Sequence, residues 1–337
     1  MRHVEELLIT AGRLLPGPAG ERIDDAAVLV RDGRIATAGP RAEVAAPPTA
    51  RRLDYPDSTL LPGLINGHVH LSLDAGPDPQ AAMQATDADT LASGMAHRAR
   101  QLLDCGVTTV RDLGDRAGAA IELRAAIAAG EIPGPRVLAA AAPLTPPGGH
   151  CWFFGGEVSG EAEIRAMVRR NAELGADVIK VMASGGQITE GGADMWESQF
   201  STAELAVVVD EAARHGLPVA AHAHGTEAIT SSVAAGVDSV EHCTWMSGPG
   251  QSERRPEVAA EMARRGIAMC STSSVNWRMM VERMGDERAA EIYGRLSWMD
   301  SLGVALITGT DAGLRGSVFD DFAGALELYE WLGFGND

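Results

Sequence analysis

Lysine is nearly missing: of the 28 basic residues in this 337-residue chain only Lys180 is a lysine, and the rest are arginine. Surface positive charge is therefore supplied by arginine, and the one position that departs from it calls for a primary amine. A desolvated lysine can lose its proton and attack a small electrophile, whereas a guanidinium stays charged and inert. Positive charge is short overall, with a net charge of −18. That excludes a nucleic-acid binder, since a phosphate backbone needs a basic face; the acidic excess is read as solvated surface. Cysteine is scarce: Cys105, Cys151, Cys243 and Cys270 are scattered with no CxxC pair, which argues against a disulfide scaffold and for free thiols. No apolar run approaches bilayer-spanning length, and the N-terminus has no signal-peptide pattern, so no membrane partner and a cytoplasmic location are expected. Aromatics make up only 4%, leaving alanine, leucine, valine and 39 glycines to carry the packing.

With 45% apolar residues and a mean hydropathy of −0.02, the chain suits a large buried core. Residues 1–60 read as a small β module, with strand candidates at 7–10, 27–30 and 34–38. Arg31-Asp32-Gly33 is a hairpin signal between the last two, while Pro47-Pro48 and Tyr55-Pro56 break the chain. From residue 61 to 337 strands and helices alternate. The strands fall at 64–70, 107–112, 136–141, 177–182, 219–222, 239–242, 268–271 and 305–308. Helices are expected at 88–105, 117–130, 161–174, 202–215, 227–235, 257–265 and 287–302, with glycines closing several of them. Strands joined by helical crossovers in this number point to an α/β fold, a (β/α)8 TIM barrel.

In such a barrel the chemistry sits at the C-terminal ends of the strands. His68 and His70 close the first strand and point to one side. Lys180 lies in the fourth, His222 closes the fifth, His242 the sixth, and Asp311 follows the eighth. Singly, each is commonplace: a His-Val-His, a snorkelling lysine, a core histidine, a Gly-Thr-Asp turn. Together, in this order and at strand ends, they suit two divalent metal ions, with zinc the first choice. A free ammonium would repel such ions. Reaction of Lys180 with CO2 turns it into an anionic carbamate able to bridge both, which arginine cannot do.

The strings Leu61-Pro62-Gly63-Leu64-Ile65-Asn66-Gly67-His68-Val69-His70, Gly106-Val107-Thr108-Thr109-Val110-Arg111-Asp112, Lys180-Val181-Met182-Ala183-Ser184-Gly185-Gly186, Ala221-His222-Ala223-His224-Gly225, Gly236-Val237-Asp238-Ser239-Val240-Glu241-His242 and Gly309-Thr310-Asp311-Ala312-Gly313 follow in order. Together they resemble the amidohydrolase superfamily, in its imidazolonepropionase-like branch of metal-dependent Xaa-Pro dipeptidases, carboxypeptidases and ochratoxinase-like amidases. The resemblance implies His68, His70, Lys180 and Asp311 around a more buried metal, and Lys180, His222 and His242 around a more exposed one. His222 is chosen over His224 on that resemblance, leaving His224 as a ligand-orienting or substrate contact.

The activity this implies is hydrolysis of an amide or peptide bond, in a dipeptide, N-acyl amino acid or similar carboxylate-bearing amide, by a metal-bridging hydroxide. Asp311 is the expected catalytic base. His150, in the glycine-rich loop after the third strand, is the expected substrate contact. Gly185-Gly186 and Asn276-Trp277-Arg278 are weaker pocket candidates, with Arg278 facing a substrate carboxylate. His3, His97 and His215 are expected to face solvent. Relatives of this type continue into strands that pair with the N-terminal module, so residues 1–60 are expected to be a partial β-sandwich lacking its usual C-terminal strands. Its open edges leave a homo-oligomer open. Two other readings stand beside this one: a mononuclear cyclic C–N hydrolase or deaminase, and a truncated, non-catalytic metal-binding remnant.

Overall fold

Asp32 and Gly33 form the tightest turn in the chain's first part. Both take positive φ, 49° and 71°, the twist that a two-residue hairpin between right-handed strands requires. They join β2 (Ile23–Arg31) to β3 (Arg34–Pro40), and β1 (Glu6–Leu14) pairs antiparallel with β2 on its other side. A fourth strand, β4 (Arg51–Leu60), lies parallel to β1 and completes a sheet of order β3-β2-β1-β4. The computed structural model describes residues 6–17 and 20–335.

The fourth strand departs from the expectation of a break at Tyr55-Pro56. The register between β1 and β4 slips between Ala11 and Arg13, where Pro56 and its neighbours bulge opposite Gly12. A Cβ on Gly12 would collide with the Pro56 carbonyl oxygen. An edge strand with a bulge tolerates a residue that cannot donate to the ladder. Leu8, Ala27, Leu29 and Val44 cluster on one side of this sheet, and Leu14, Ala26 and Val28 form a separate cluster.

A second compact unit runs from Leu64 to Phe334. Its strands are β5 (Leu64–Val69), β6 (Val107–Asp112), β7 (Arg136–Ala139), β8 (Ile179–Met182), β9 (Val219–Gly225), β10 (Ser239–Gly248), β11 (Gln251–Ser252), β12 (Ala268–Thr272) and β13 (Leu306–Gly309). All but β11 are parallel to their neighbours, in the orders β5-β6-β7 and β13-β12-β10-β9-β8. The two parallel sheets meet at both edges. On one, Asp177 N donates to Ala139 O and Leu144 N to Lys180 O, each at 2.8 Å; on the other, Asp311 N donates to His68 O at 2.9 Å and His70 N to Ala312 O at 2.8 Å. Every residue of β8 is buried, as a parallel strand covered on both faces should be. The largest apolar cluster gathers Val168, Ile179, Val208, Val240 and Met262 between strands and crossover helices.

Helix Thr202–Arg214 begins with the reciprocal Ser201–Glu204 capping box, which satisfies amide groups that the first turn would otherwise leave open. The single helix expected at 287–302 is instead two, Asp286–Tyr293 and Arg295–Ser301, and Trp277–Met284 precedes them. Gly285, at φ 81° and ψ 155°, interrupts the path between Trp277–Met284 and Asp286–Tyr293. Helices Pro79–Ala85 and Phe322–Trp331 add to those expected. Among the described residues no helix is long and apolar enough to cross a membrane.

Candidate metal centre

The ends of β5, β8, β9 and β10 deliver their polar side chains into one cavity of about 210 Å3, together with Asp311 from the turn after β13. His68 and His70 sit at the end of β5, and the Nε2 atom of each lies 3.4 Å from Asp311 Oδ1. Asn66 fixes that turn: its amide donates to Thr310 Oγ1 at 2.7 Å and its oxygen accepts from Thr310 N at 3.2 Å. Gly309 lets the two segments close, because a Cβ there would stand 2.6 Å from the His68 Cβ. Asp311 and His242 both hold left-handed backbone, φ 56° and 65°. Such strain in a non-glycine residue persists only where surrounding structure enforces it.

Each imidazole is tied at one nitrogen by the protein. His68 Nδ1 meets Glu241 Oε2 at 2.9 Å and His70 Nδ1 meets Gly114 O at 3.1 Å. His222 Nε2 meets Gly185 O at 3.0 Å, His242 Nδ1 meets Thr272 Oγ1 at 2.7 Å, and His224 Nδ1 meets Thr244 Oγ1 at 2.9 Å. Where the partner is a carboxylate or carbonyl oxygen, which only accepts, as for His68, His70 and His222, the second nitrogen of the neutral ring is left as a lone-pair donor. His242 Nε2, Asp311 Oδ1 and Lys180 Nζ are buried without a hydrogen-bond partner. Orphaned polar atoms of this kind are costly in a protein interior, and their convergence fits a cation site. Imidazole nitrogens, carboxylate oxygens and the Cys270 sulfur group within ligand range in the sets His68–His70–Asp311, His222–His224–His242 and His68–Glu241–Cys270.

Electrostatics favour the donor forms. Burial holds the pKa of His68 near 4, with Lys180 adding to the effect, and drives His222 and His242 well below their ordinary value. His70 is raised: burial opposes its charge, but Asp311 outweighs burial. Burial also depresses the Lys180 amine against the pull of Glu241 and Asp311. For Asp311 burial works toward the neutral acid, yet His68 and His70 hold its carboxyl well below the usual range. Burial thus works against charge on the amine and on the His68, His222 and His242 rings, while Asp311 is kept ionised.

The structure places His150 in this cavity, on the loop after β7, with Nδ1 3.3 Å from Thr189 Oγ1 and its ring 4.5 Å from that of His222. Gly186 passes so close that a Cβ would collide with the His150 ring. His224 also lines the cavity, its ring stacked 4.4 Å from His242. Arg278 corrects the expectation made for it. Its guanidinium pairs with Glu327 and lies 5.4 Å from the centre of the Trp277 ring, outside the cavity lining. Its helix turns that face toward a neighbouring helix instead of the strand ends. His97 and His215 are exposed; His3 lies outside the described residues.

Two residues escaped sequence reasoning. Glu241, fully buried, accepts from Arg111 Nη2 at 2.8 Å, Ser239 Oγ at 2.6 Å and the His68 ring. Burial opposes its ionisation, but Arg111 and the His68 hydrogen bond keep it an anion. Both sat in the recognised strings, and two opposite charges inside buried strands were the available signal. A larger cavity of about 590 Å3, lined by Met83, Leu91, Met95 and Leu123 among others, holds none of these imidazoles.

Comparison with known proteins defines the class. The pattern of the Amidohydrolase family matches residues 59–332, and the chain belongs to that family. It is 33% identical over 299 residues to the ochratoxinase of Aspergillus niger, covering 80% of this chain and 59% of that protein. The chain thus spans less than two thirds of that relative's length. The A. niger ochratoxinase crystal structure superposes with a TM-score of 0.82 at 27% identity, covering 98% of this chain and 80% of the other. A Xaa-Pro dipeptidase with methionine bound in its active site gives 0.79 at 27% identity, covering 96% and 84%.

Proposed function

We propose that the second unit is a (β/α)8 barrel that hydrolyses amide or peptide bonds with two divalent ions, and that the first unit is a β-sandwich module. One observation carries the site: five imidazoles are each held at one nitrogen by a protein oxygen, while the orphaned Lys180 Nζ, His242 Nε2 and Asp311 Oδ1 share the same cavity. His68, His70, Lys180 and Asp311 would hold one ion, and Lys180, His222 and His242 the other. For Lys180 to serve both it must be an anion. Its neutral amine attacks CO2, a nitrogen–carbon bond forms, and one proton leaves, giving a carbamate with two oxygens. Bound divalent ions, zinc by donor type, would supply Lewis acidity and bring the pKa of water toward neutrality.

The chain's own groups do the rest. Asp311, held ionised, accepts the proton of the attacking water and returns it to the leaving amine. His150, whose Nδ1 can accept from the Thr189 hydroxyl, would offer its Nε2–H to the substrate carbonyl as it becomes an oxyanion, while the His224 ring would contact the substrate without donating. Glu241 keeps the His68 proton on Nδ1, so that Nε2 presents its lone pair to the cavity. A second reading, one ion on His222, His224 and His242, is favoured by the mutual approach of those three rings. Metal analysis of protein reconstituted with and without bicarbonate separates the two. Two equivalents, with the gain dependent on bicarbonate, support the first; one equivalent, indifferent to bicarbonate, supports the second.

A further inference from the structure

We propose that this site takes amides whose substituent beside the scissile bond is uncharged and apolar, and that Met182, Ile188, Met195 and Leu314 select it. The inference rests on the hydrolase reading of the same cavity and concerns only what that cavity accepts. The cavity lining combines the imidazoles, Lys180 and Asp311 with an apolar wall of Cys151, Met182, Ile188, Met195 and Leu314, and with Gln187 and Thr272. Apart from Lys180, no lysine or arginine lines it, and apart from Asp311 no carboxylate does. The wall is anchored: Met182 and Cys151 belong to a buried cluster with Leu73, Phe153 and Phe154, against which Ile188 and Leu314 pack.

The segment bearing Ile188 and Met195 is itself pinned. Thr189 Oγ1 accepts from Cys151 N at 2.9 Å, and Gln199 Oε1 accepts from His150 N at 2.8 Å. The same segment carries Glu190, Asp194 and Glu197, but these are exposed and do not line the cavity; Glu197 accepts from Asp194 N at 2.9 Å. A charged side chain placed against this wall would be desolvated by methionine, isoleucine and leucine with no counter-charge among them, at a cost far above that of an apolar group. The cavity, about 210 Å3, is below the roughly 300–1,000 Å3 usual for drug-sized ligands. It suits a dipeptide-sized amide rather than an oligopeptide. Thioether and branched side chains can also adapt to more than one apolar shape.

The test uses the zinc-reconstituted full chain with two matched dipeptide series, Ala-Xaa and Xaa-Ala, where Xaa is Leu, Phe, Lys or Asp. Rates are followed by amine release, and competitive binding by calorimetry. In at least one series the Leu or Phe member should exceed the Lys and Asp members by about 100-fold in kcat/KM, the scale on which apolar pockets discriminate. Met195→Asp and Ile188→Asp should narrow that gap for Lys at least tenfold. Equal turnover or binding of the charged members, or an unchanged preference in both variants, overturns the proposal. If no member is cleaved while the apolar ones still bind preferentially, the hydrolase reading fails and the apolar selectivity stands.

Discussion

Glu241→Gln isolates the contribution of a single buried charge to the proposed metal centre. In the native chain Arg111 Nη2 and Ser239 Oγ both reach Oε1, and His68 Nδ1 reaches Oε2, at 2.8, 2.6 and 2.9 Å. An ionised carboxylate only accepts, so His68 must carry its proton on Nδ1 and offer Nε2 as a lone pair. Glutamine keeps the shape but makes one end a donor. Its oxygen would stay with Arg111 and Ser239, turning the amide NH2 toward His68 Nδ1. That imidazole must then move its proton to Nε2, where it blocks coordination, or lose the hydrogen bond. Partners that orient ligating histidines are worth about 10–100-fold in metal affinity, roughly 1.4–2.7 kcal/mol. Arg111 also loses its counter-charge. Removing one member of a buried pair outright costs about 3–5 kcal/mol, and because glutamine retains the hydrogen bonds to Arg111 and Ser239, about 1–3 kcal/mol is expected. Competition with a chromogenic chelator gives the first quantity and urea unfolding of metal-free protein the second. Metal affinity within twofold of wild type would refute the positioning argument, and loss of stability alone would leave Glu241 a purely structural residue.

Asp311→Asn should retain most of the bound metal yet abolish turnover; near wild-type activity with full occupancy would remove Asp311 from its role as base. Gly186→Ala forces a Cβ into the His150 ring, so kcat/KM should fall at least tenfold with metal content unchanged, which metal analysis beside kinetics will check. Metal-free protein should be acid-labile at unusually high pH. Burial lowers the imidazoles of His68 and His150 from 6.5 to about 4 and His224 to about 3, and drives His222 and His242 well down as well. The unfolded chain therefore binds protons that the folded chain refuses, and stability present above pH 6.5 is lost as pH falls toward 4. Asp112, which burial raises to about 7, Asp115, also raised by burial, and His70, raised against burial by Asp311, act in the opposite sense, but they oppose five imidazoles. A flat melting temperature between pH 7 and 4.5 would contradict this. Ser201→Ala removes the capping box and should cost about 1 kcal/mol in thermal unfolding.

The strand ends that share the cavity were legible because each apolar run closes on a polar residue, which a parallel strand buried on both faces does not need for packing. Lys180 stood out by composition alone. Pairings across the chain were not legible: Arg111 and Glu241 lie 130 residues apart, and nothing local in either strand names the other. β4 was hidden because Tyr55-Pro56 reads as a break until the bulge beside Gly12 is seen. Arg278 was misread since its sequence neighbourhood follows a strand end, whereas its direction depends on where the helix Trp277–Met284 starts to wind. The choice between His222 and His224 also rests on more than alternation, because both rings approach His242.

Beyond His242, the chain of β10 also bends through positive φ at Cys243 and Trp245, 49° and 57°, and its pairing with β9 jumps from His242 to Met246. The route out of that strand is thus a fixed elbow. Anyone exchanging surface loops to retarget this scaffold has a usable junction only downstream of Met246, since a cut at His242 would discard the bend that aims its ring.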